Sequence, residues 1–253
     1  MPNCDVGLLF ATGTEQGGLD DRLEQKTTIR ATRFTVRRGL LHGRSLAVVT
    51  SGVGGTSARR ACEILIAGHR PRLIVSAGFA GGLDPRVKRG DFLSARSVVN
   101  GDGGEIAVAL EPDSPPPRAG QLHVGRLLTV DRIVARPEDK AALGRRFDAL
   151  AVDMETWEVA DVCRQASIDW VSLRVISDAV DESLPPEIER VARQPNTPRR
   201  VGAALGVLIQ RPSRLKNFLK LRLDGVALSA ELAAYLETLI VRLVPAPTPL
   251  DET

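Results

Sequence analysis

Three carboxylates stand where apolar segments give way to glycine-rich or polar ones: Glu15 in LLFATGTEQGG, Glu155 in AVDMETWEVA and Asp178 in SLRVISDAVDE. Carboxylates at such mouths can hold hydroxyls and can take up or deliver protons. Each also has a plain structural reading. Glu15 can cap a helix or face solvent, and Glu155 can complement a helix amino-terminal dipole. Asp178 reads as a loop carboxylate just past a strand, a position from which a side chain enters an α/β cleft. Met154 offers either core filling or a deformable pocket surface, with Trp157 packed nearby. Asp153 is the acid with the least defined role, and Asp181 and Glu182 read as solvated loop charges or helix caps in preference to catalytic groups. Arg174 either bridges sheet edges or neutralises an acid in the site. The expectation is that Glu15, Glu155 and Asp178 converge.

Two glycine runs, GVGG at 52–55 and AGFAGG at 77–82, can make tight turns or bring backbone donors close to a phosphate or ribosyl group. Neither is a nucleotide signature. GVGGTSARRA lacks the glycine spacing of the dinucleotide fingerprint, and no GxxxxGK[ST] run exists. NAD and ATP are therefore poor starting assumptions.

The elements that must position these groups follow from apolar runs and their punctuation. Val6 to Ala11 and Leu46 to Ser51 read as buried strands, and Thr56 or Ser57 can cap a helix running toward Ala67. Leu73 to Ser76 reads as a strand leading into a glycine loop from Ala77 to Gly82. Phe92 to Val99 and Glu105 to Ala109 form a hairpin around Asn100–Gly104. The proline-rich stretch from Leu110 to Gly120 is a connection or projecting loop. Gly125 to Val130 and Ala149 to Val152 resume the sheet, and Pro137 to Lys140 begins a short helix. Met154 to Gln165 has helical spacing and Trp170 to Ile176 reads as a strand. Val201 to Ile209 and Ala230 to Val241 supply helices that cover a sheet face. This order predicts an α/β protein with a mixed sheet, residues 1–253 forming one domain.

Composition narrows the function classes. The chain has 253 residues, 43% of them hydrophobic, enough for a substantial core. Its 34 basic and 31 acidic residues are mixed along most of the chain, which gives little reason to infer nucleic-acid binding. Cys4, Cys62 and Cys163 are odd in number and far apart in sequence, indicating neither a disulfide framework nor a zinc cluster. The opening residues lack a basic region followed by a long apolar core, so a soluble cytoplasmic protein is expected.

LLFATGTE, TSGVGGTSARRACEILI, IVSAGFAGGLDPRVKRGD, LLTVDRIVARPEDKAAL, AVDMETWEVADVC and VSLRVISDAVDE occur in this order over most of the chain. Together they resemble the nucleoside phosphorylase and hydrolase superfamily, above all the 5′-methylthioadenosine/S-adenosylhomocysteine nucleosidases and their hopanoid-associated relatives. RPSRLKNFLKLRLDG adds a modest likeness to the latter branch. The resemblance implies a single-domain three-layer α/β/α sandwich with a central mixed sheet, and cleavage of the bond between a purine and ribose C1′. It implies that Glu15 positions or activates water, Glu155 binds ribosyl hydroxyls beside Met154, and Asp178 recognises adenine and donates toward N7. Phe79, Val152 and Ile133 fall at base-pocket positions, and Gly54 and Gly78 lie in candidate nucleophile-binding loops.

The substrate so implied is a small-molecule adenine nucleoside with an altered 5′ group: methylthioadenosine, S-adenosylhomocysteine, 5′-deoxyadenosine or a hopanoid-linked adenosine. No metal or organic cofactor is required, and the resemblance favours a homodimer. The chain departs from the family pattern at Ile133, where an aromatic is usual, and at Phe79, where a small or hydroxylated residue is usual. The second departure disfavours phosphate. Phosphorolysis by inorganic phosphate is the runner-up reaction, with Arg59, Arg60 and Arg174 as its available cations, and a noncatalytic purine-binding module is a further alternative. Pro212 to Leu223 mixes leucines and Phe218 with Arg and Lys, so it can contact lipid or another helix.

Overall fold

The computed structural model describes residues 4–30, 34–108, 110, 120–184 and 215–245, with side chains from residue 225 onward in the last stretch. β1 (Val6–Phe10) is buried along its whole length and lies between two parallel neighbours, β4 (Arg44–Thr50) and β5 (Leu73–Gly82). Burial on both faces is why VGLLF shows no polar alternation. From β4 the sheet continues in antiparallel order through β3 (Thr35–Leu41) to β2 (Glu24–Arg30). Every residue of β2 is exposed, so EQKTTIR carries no buried face to mark it as a strand, and none is expected there from sequence.

β5 organises the other half. One of its edges is taken by β10 (Asp169–Asp178), which runs parallel to it from Leu73 to Gly81. The other edge is shared: β1 pairs with Leu73 to Ser76, and the short β9 (Ala151–Asp153) pairs antiparallel with Gly81 and Gly82. β10 also pairs with β6 (Phe92–Asn100), β6 with β8 (Leu122–Thr129), and β8 with β9, so the strand path closes back on β5. β7 (Glu105–Ala107) forms the expected hairpin with β6.

Ala77 to Gly82 is thus strand and not the glycine loop read from sequence. Between the end of β1 and the start of β9, one edge of β5 is left open over residues 77–80. A strand edge without a partner strand needs other hydrogen-bonding groups, and the candidate site lies in this gap.

Helices α1 (Gly13–Asp20) and α5 (Leu215–Leu243) pack together, as do α2 (Gly55–His69) and α4 (Thr156–Ala166), giving helical layers over a central mixed sheet. α5 buries Leu232, Tyr235, Leu236, Leu239 and Ile240, a stripe at helical spacing, and Tyr235 meets Phe92 edge to face at 4.9 Å. α1 has three glycines in eight residues and is a weak helix by itself. Tertiary contact holds it: Gly18 N–H donates to Ser229 Oγ at 3.0 Å, and a Cβ at Gly18 would lie 2.6 Å from the Ser229 carbonyl oxygen.

Two further readings change. α2 begins at Gly55 behind Gly54, whose φ of 99° suits glycine, and neither Thr56 nor Ser57 is its cap. Asp178 is the last residue of β10 and is buried, so it is not a loop carboxylate. α3 (Pro137–Phe147) starts at the expected proline. The expected helix at Val201–Ile209, nearly all of the Leu110–Gly120 connection and the side chains of Pro212 to Leu223 lie outside the described residues. Among the described residues no helix is long and apolar enough to cross a membrane.

Candidate functional site

α1 delivers Glu15 into the gap beside β5. Thr12 and Glu15 form a capping box, T-x-x-E, in which Thr12 N–H donates to Glu15 Oε2 at 2.7 Å and the Thr12 hydroxyl donates to the same oxygen at 2.9 Å. Glu15 Oε1 then accepts from the backbone N–H of Phe79 at 2.8 Å. Glu15 is therefore both a cap residue and a buried acid that takes the place of a strand partner on β5. Burial pushes its carboxyl above the usual range, against the opposing pull of the Phe79 N–H, Arg174 and Thr12.

Glu155 occupies the N-cap of α4, while Met154 precedes it, half-buried. Its Oε1 accepts from Gly54 N–H at 2.7 Å, joining the start of α4 to the start of α2. Burial, and next the negative charge of Asp153, push the Glu155 carboxyl up to about 8; the Gly54 N–H opposes this and Glu15 adds to it. Glu15 and Glu155 line one cleft together with Phe79, Ser51, Ser76 and Arg174.

Beneath the two acids lies a buried polar cluster. Arg174 donates through Nε and Nη2 to Asp153 Oδ2 at 3.1 and 2.9 Å, and through Nη2 to Ser76 Oγ at 2.7 Å and Thr156 Oγ1 at 2.5 Å. Asp153 also accepts from the hydroxyls of Thr129 and Thr156. Arg174 thus neutralises Asp153, while its charge also lowers the cost of ionising Glu15 and Glu155 nearby. This gives Asp153 the structural partner that sequence reasoning left undefined.

Asp178, at the end of β10, lies beside a later residue of β5, Gly81. A Cβ placed on Gly81 would come 3.2 Å from Asp178 Oδ2 and 3.6 Å from Val152 Cγ1, so Asp178 and Val152 flank the same glycine. Gly81 follows Gly78 by three strand residues, roughly 10 Å. Asp178 Oδ1 accepts from Ser177 Oγ at 2.5 Å, and Oδ2 accepts from Lys140 Nζ at 2.5 Å. Lys140 is fully buried, and nothing about PEDK marks it in sequence as more than the first turn of a helix. By contrast, the T-x-x-E capping box at Thr12 was a readable signal for α1.

The glycines serve the acids. Gly54 N–H is taken by Glu155. Gly78 lies in β5 and not in a loop, and a Cβ there would fall 2.6 Å from Glu15 Oε1 and 3.1 Å from Arg174 Nη1. Phe79 reaches Glu15 through its backbone N–H, and its half-buried ring packs against the core. Ile133 is half-buried ahead of α3 and is not among the cleft-lining residues. Of the arginines available to an anion, Arg59 is bound to Glu158 and Asp161, and Arg174 to Asp153. Among the described residues no group of three or more His, Cys, Asp or Glu is placed to hold a metal ion.

The phosphorylase superfamily model matches residues 5–202 of the chain. A 5′-methylthioadenosine/S-adenosylhomocysteine nucleosidase of Baumannia cicadellinicola subsp. Homalodisca coagulata is 30% identical over 198 residues, covering 70% of this chain and 86% of the relative. One of Bacillus cereus (strain B4264) is 29% identical over 196 residues, covering 68% and 85%. The fold is similar to that of the Neisseria meningitidis 5′-methylthioadenosine/S-adenosylhomocysteine nucleosidase in complex with methylthio-immucillin-A. That match has a TM-score of 0.68 at 20% identity, over 92% of this chain and 99% of that one. Futalosine hydrolase of Helicobacter pylori has the same TM-score at 19% identity, over 94% and 98%.

Proposed function

The chain belongs to the phosphorylase superfamily, and from that premise we propose that it hydrolyses the N-glycosidic bond of a 5′-modified adenosine and releases adenine. The observation that carries this reading is that the two glycine runs close on carboxylates: Gly54 N–H donates to Glu155 and Phe79 N–H to Glu15. Backbone donors that would cradle a phosphate are thereby already taken by side-chain oxygens of the protein itself. The relatives named for methylthioadenosine and S-adenosylhomocysteine support the same substrate class.

In this proposal Glu155 holds the ribosyl hydroxyls, with Met154 at the pocket edge, and in its ionised form favours the positive charge that develops at C1′ as the bond to the purine loosens. Glu15 orients a water toward C1′ and takes one of its protons. Asp178 passes a proton toward purine N7, directly or through a relay, so that the electrons of the broken bond leave with neutral adenine. Protons lost by the water and gained by the base balance through solvent after each turnover. Val152, Phe79 and Ile133 are assigned to the base pocket on the family resemblance. The same resemblance supports one catalytic domain over residues 1–253, acting as a homodimer. The candidate 5′ groups are methylthio, homocysteinyl, deoxy or a hopanoid-linked group, as alternatives.

The test is product analysis on a panel of 5′-modified adenosines, with and without inorganic phosphate. Adenine and a free ribosyl product in phosphate-free buffer are expected. A strict phosphate requirement with ribosyl 1-phosphate as product would overturn hydrolysis in favour of phosphorolysis. Tight adenine binding with no release in either buffer would mark a binding module.

A further inference from the structure

The mechanism above gives no task to the fully buried ammonium of Lys140. Lys140 has no solvent exposure, and its ammonium places its hydrogen bonds on Asp178 Oδ2 at 2.5 Å, the Ala179 carbonyl at 2.8 Å and the Glu182 carbonyl at 2.7 Å. An ammonium has three donors, and here each has an oxygen. A lysine serving only to fill space would be replaced at lower desolvation cost by an apolar side chain, since burying the charge is expensive unless it is fully paired. The carbonyls belong to the turn that follows β10. That turn is closed by Glu182 N–H donating to the Ala179 carbonyl and by Ala179 N–H donating to the Glu182 carboxylate. Lys140 thus ties α3 to the carboxylate at the end of β10 and to two carbonyls of the turn beyond it.

We propose that Lys140 is the positioning residue of the leaving-group end of the site. By holding Oδ2 it fixes the plane of the Asp178 carboxyl group, with Ser177 Oγ steadying Oδ1. When Asp178 gives its proton to N7, the negative charge that remains is met by the ammonium already beside it, without rearrangement. Lys140 acts through Asp178 and touches neither the ribose nor the water. The inference rests on the proposed role of Asp178 toward the purine.

The experiment compares two leaving groups on the full chain: methylthioadenosine, and a 4-nitrophenyl β-ribofuranoside carrying the same 5′-methylthio group. Nitrophenolate departs without protonation, so it does not need Asp178. Lys140→Met is expected to lower kcat for adenine release about 10²-fold, the scale of a lost alignment. KM should stay within about threefold, and nitrophenolate release should change less than about threefold. Equal losses on both substrates, or no loss on either, would overturn the proposal. Because Lys140→Met leaves a buried carboxylate unpaired and can fail to fold, Asp178→Asn is compared with the Asp178→Asn/Lys140→Met double variant, in which neither charge remains. Equal adenine release by these two supports action through Asp178, and a further large drop in the double variant overturns it. Wild-type chain that releases no adenine from any 5′-modified adenosine would sink the nucleosidase reading and this inference with it. A working wild type whose variants give the wrong pattern would sink only the inference.

Discussion

The backbone N–H of Phe79 donates to Glu15 Oε1 at 2.8 Å, so a side chain from α1 completes the edge of β5 where β1 has ended and β9 has not begun. The contact depends on what is missing next to it. A Cβ on Gly78 would fall 2.6 Å from that same oxygen. Gly78→Ala should therefore displace Glu15, lowering turnover about 10²-fold while costing roughly 1–3 kcal/mol of stability. Adenine release and thermal melting measure the two effects. Wild-type turnover in a folded Gly78→Ala protein would show that the placement of Glu15 does not matter.

Thr12 serves α1 and Glu15 at once, so its removal is expected to act on both. Thr12→Ala should destabilise the protein by about 1 kcal/mol through the lost cap. It should also reduce kcat about tenfold, because Glu15 Oε2 loses its hydroxyl donor. Thr12→Ser should restore both. Urea denaturation and initial rates decide the matter, and a stability loss with unchanged kcat would confine Thr12 to capping.

Glu155 makes a prediction about pH. Its carboxyl is pushed up to about 8 in the folded protein from an ordinary 4.5. The folded state therefore holds a proton that the unfolded chain has released, and stability attributable to this group falls as pH rises from about 4.5 to about 8. Below that window both states are protonated and the group makes no difference. Glu155→Gln should match wild type near the acid end and exceed it above the window, by a few kcal/mol at most. It should also lose most turnover, since an amide cannot release a proton to supply the negative charge proposed to face the ribosyl cation. Melting curves that run parallel across this pH range would refute the burial of an ionisable Glu155.

Arg174 and Asp153 are both almost fully buried, at 3% and 1% side-chain exposure. Arg174→Met should destabilise by about 3–5 kcal/mol because it strands a buried carboxylate. Arg174→Lys keeps the charge but not the planar fork that reaches Asp153, Ser76 and Thr156 together, and is expected to fall between. Denaturant titration near neutral pH checks both. A loss below about 1 kcal/mol for Arg174→Met would show that the cluster is dispensable.

Local chemistry made much of the framework readable. VGLLF, the apolar run into GVGG and the glycine turn from Asn100 to Gly104 each announce a strand or hairpin, because burial and turn geometry act over a few residues. Glu15, Glu155 and Asp178 stood out because each follows such a boundary. What the chain order does not contain is which group each acid meets. Glu15 meets Phe79 across 64 residues, Glu155 meets Gly54 across 101, and Asp178 meets Lys140 across 38. Cys62 and Cys163, distant in sequence, come within 3.8 Å for the same reason, the packing of α2 on α4. The glycine-rich Ala77–Gly82 looked like a loop because glycine is permissive, yet it is strand because β10 pairs with it and Glu15 and Asp178 need the space its missing side chains leave. The sequence alone determined the kinds of groups and the elements that carry them. The tertiary structure decided their partners, since hydrogen-bond pairing and charge compensation depend on distances through space that only packing of the whole chain sets.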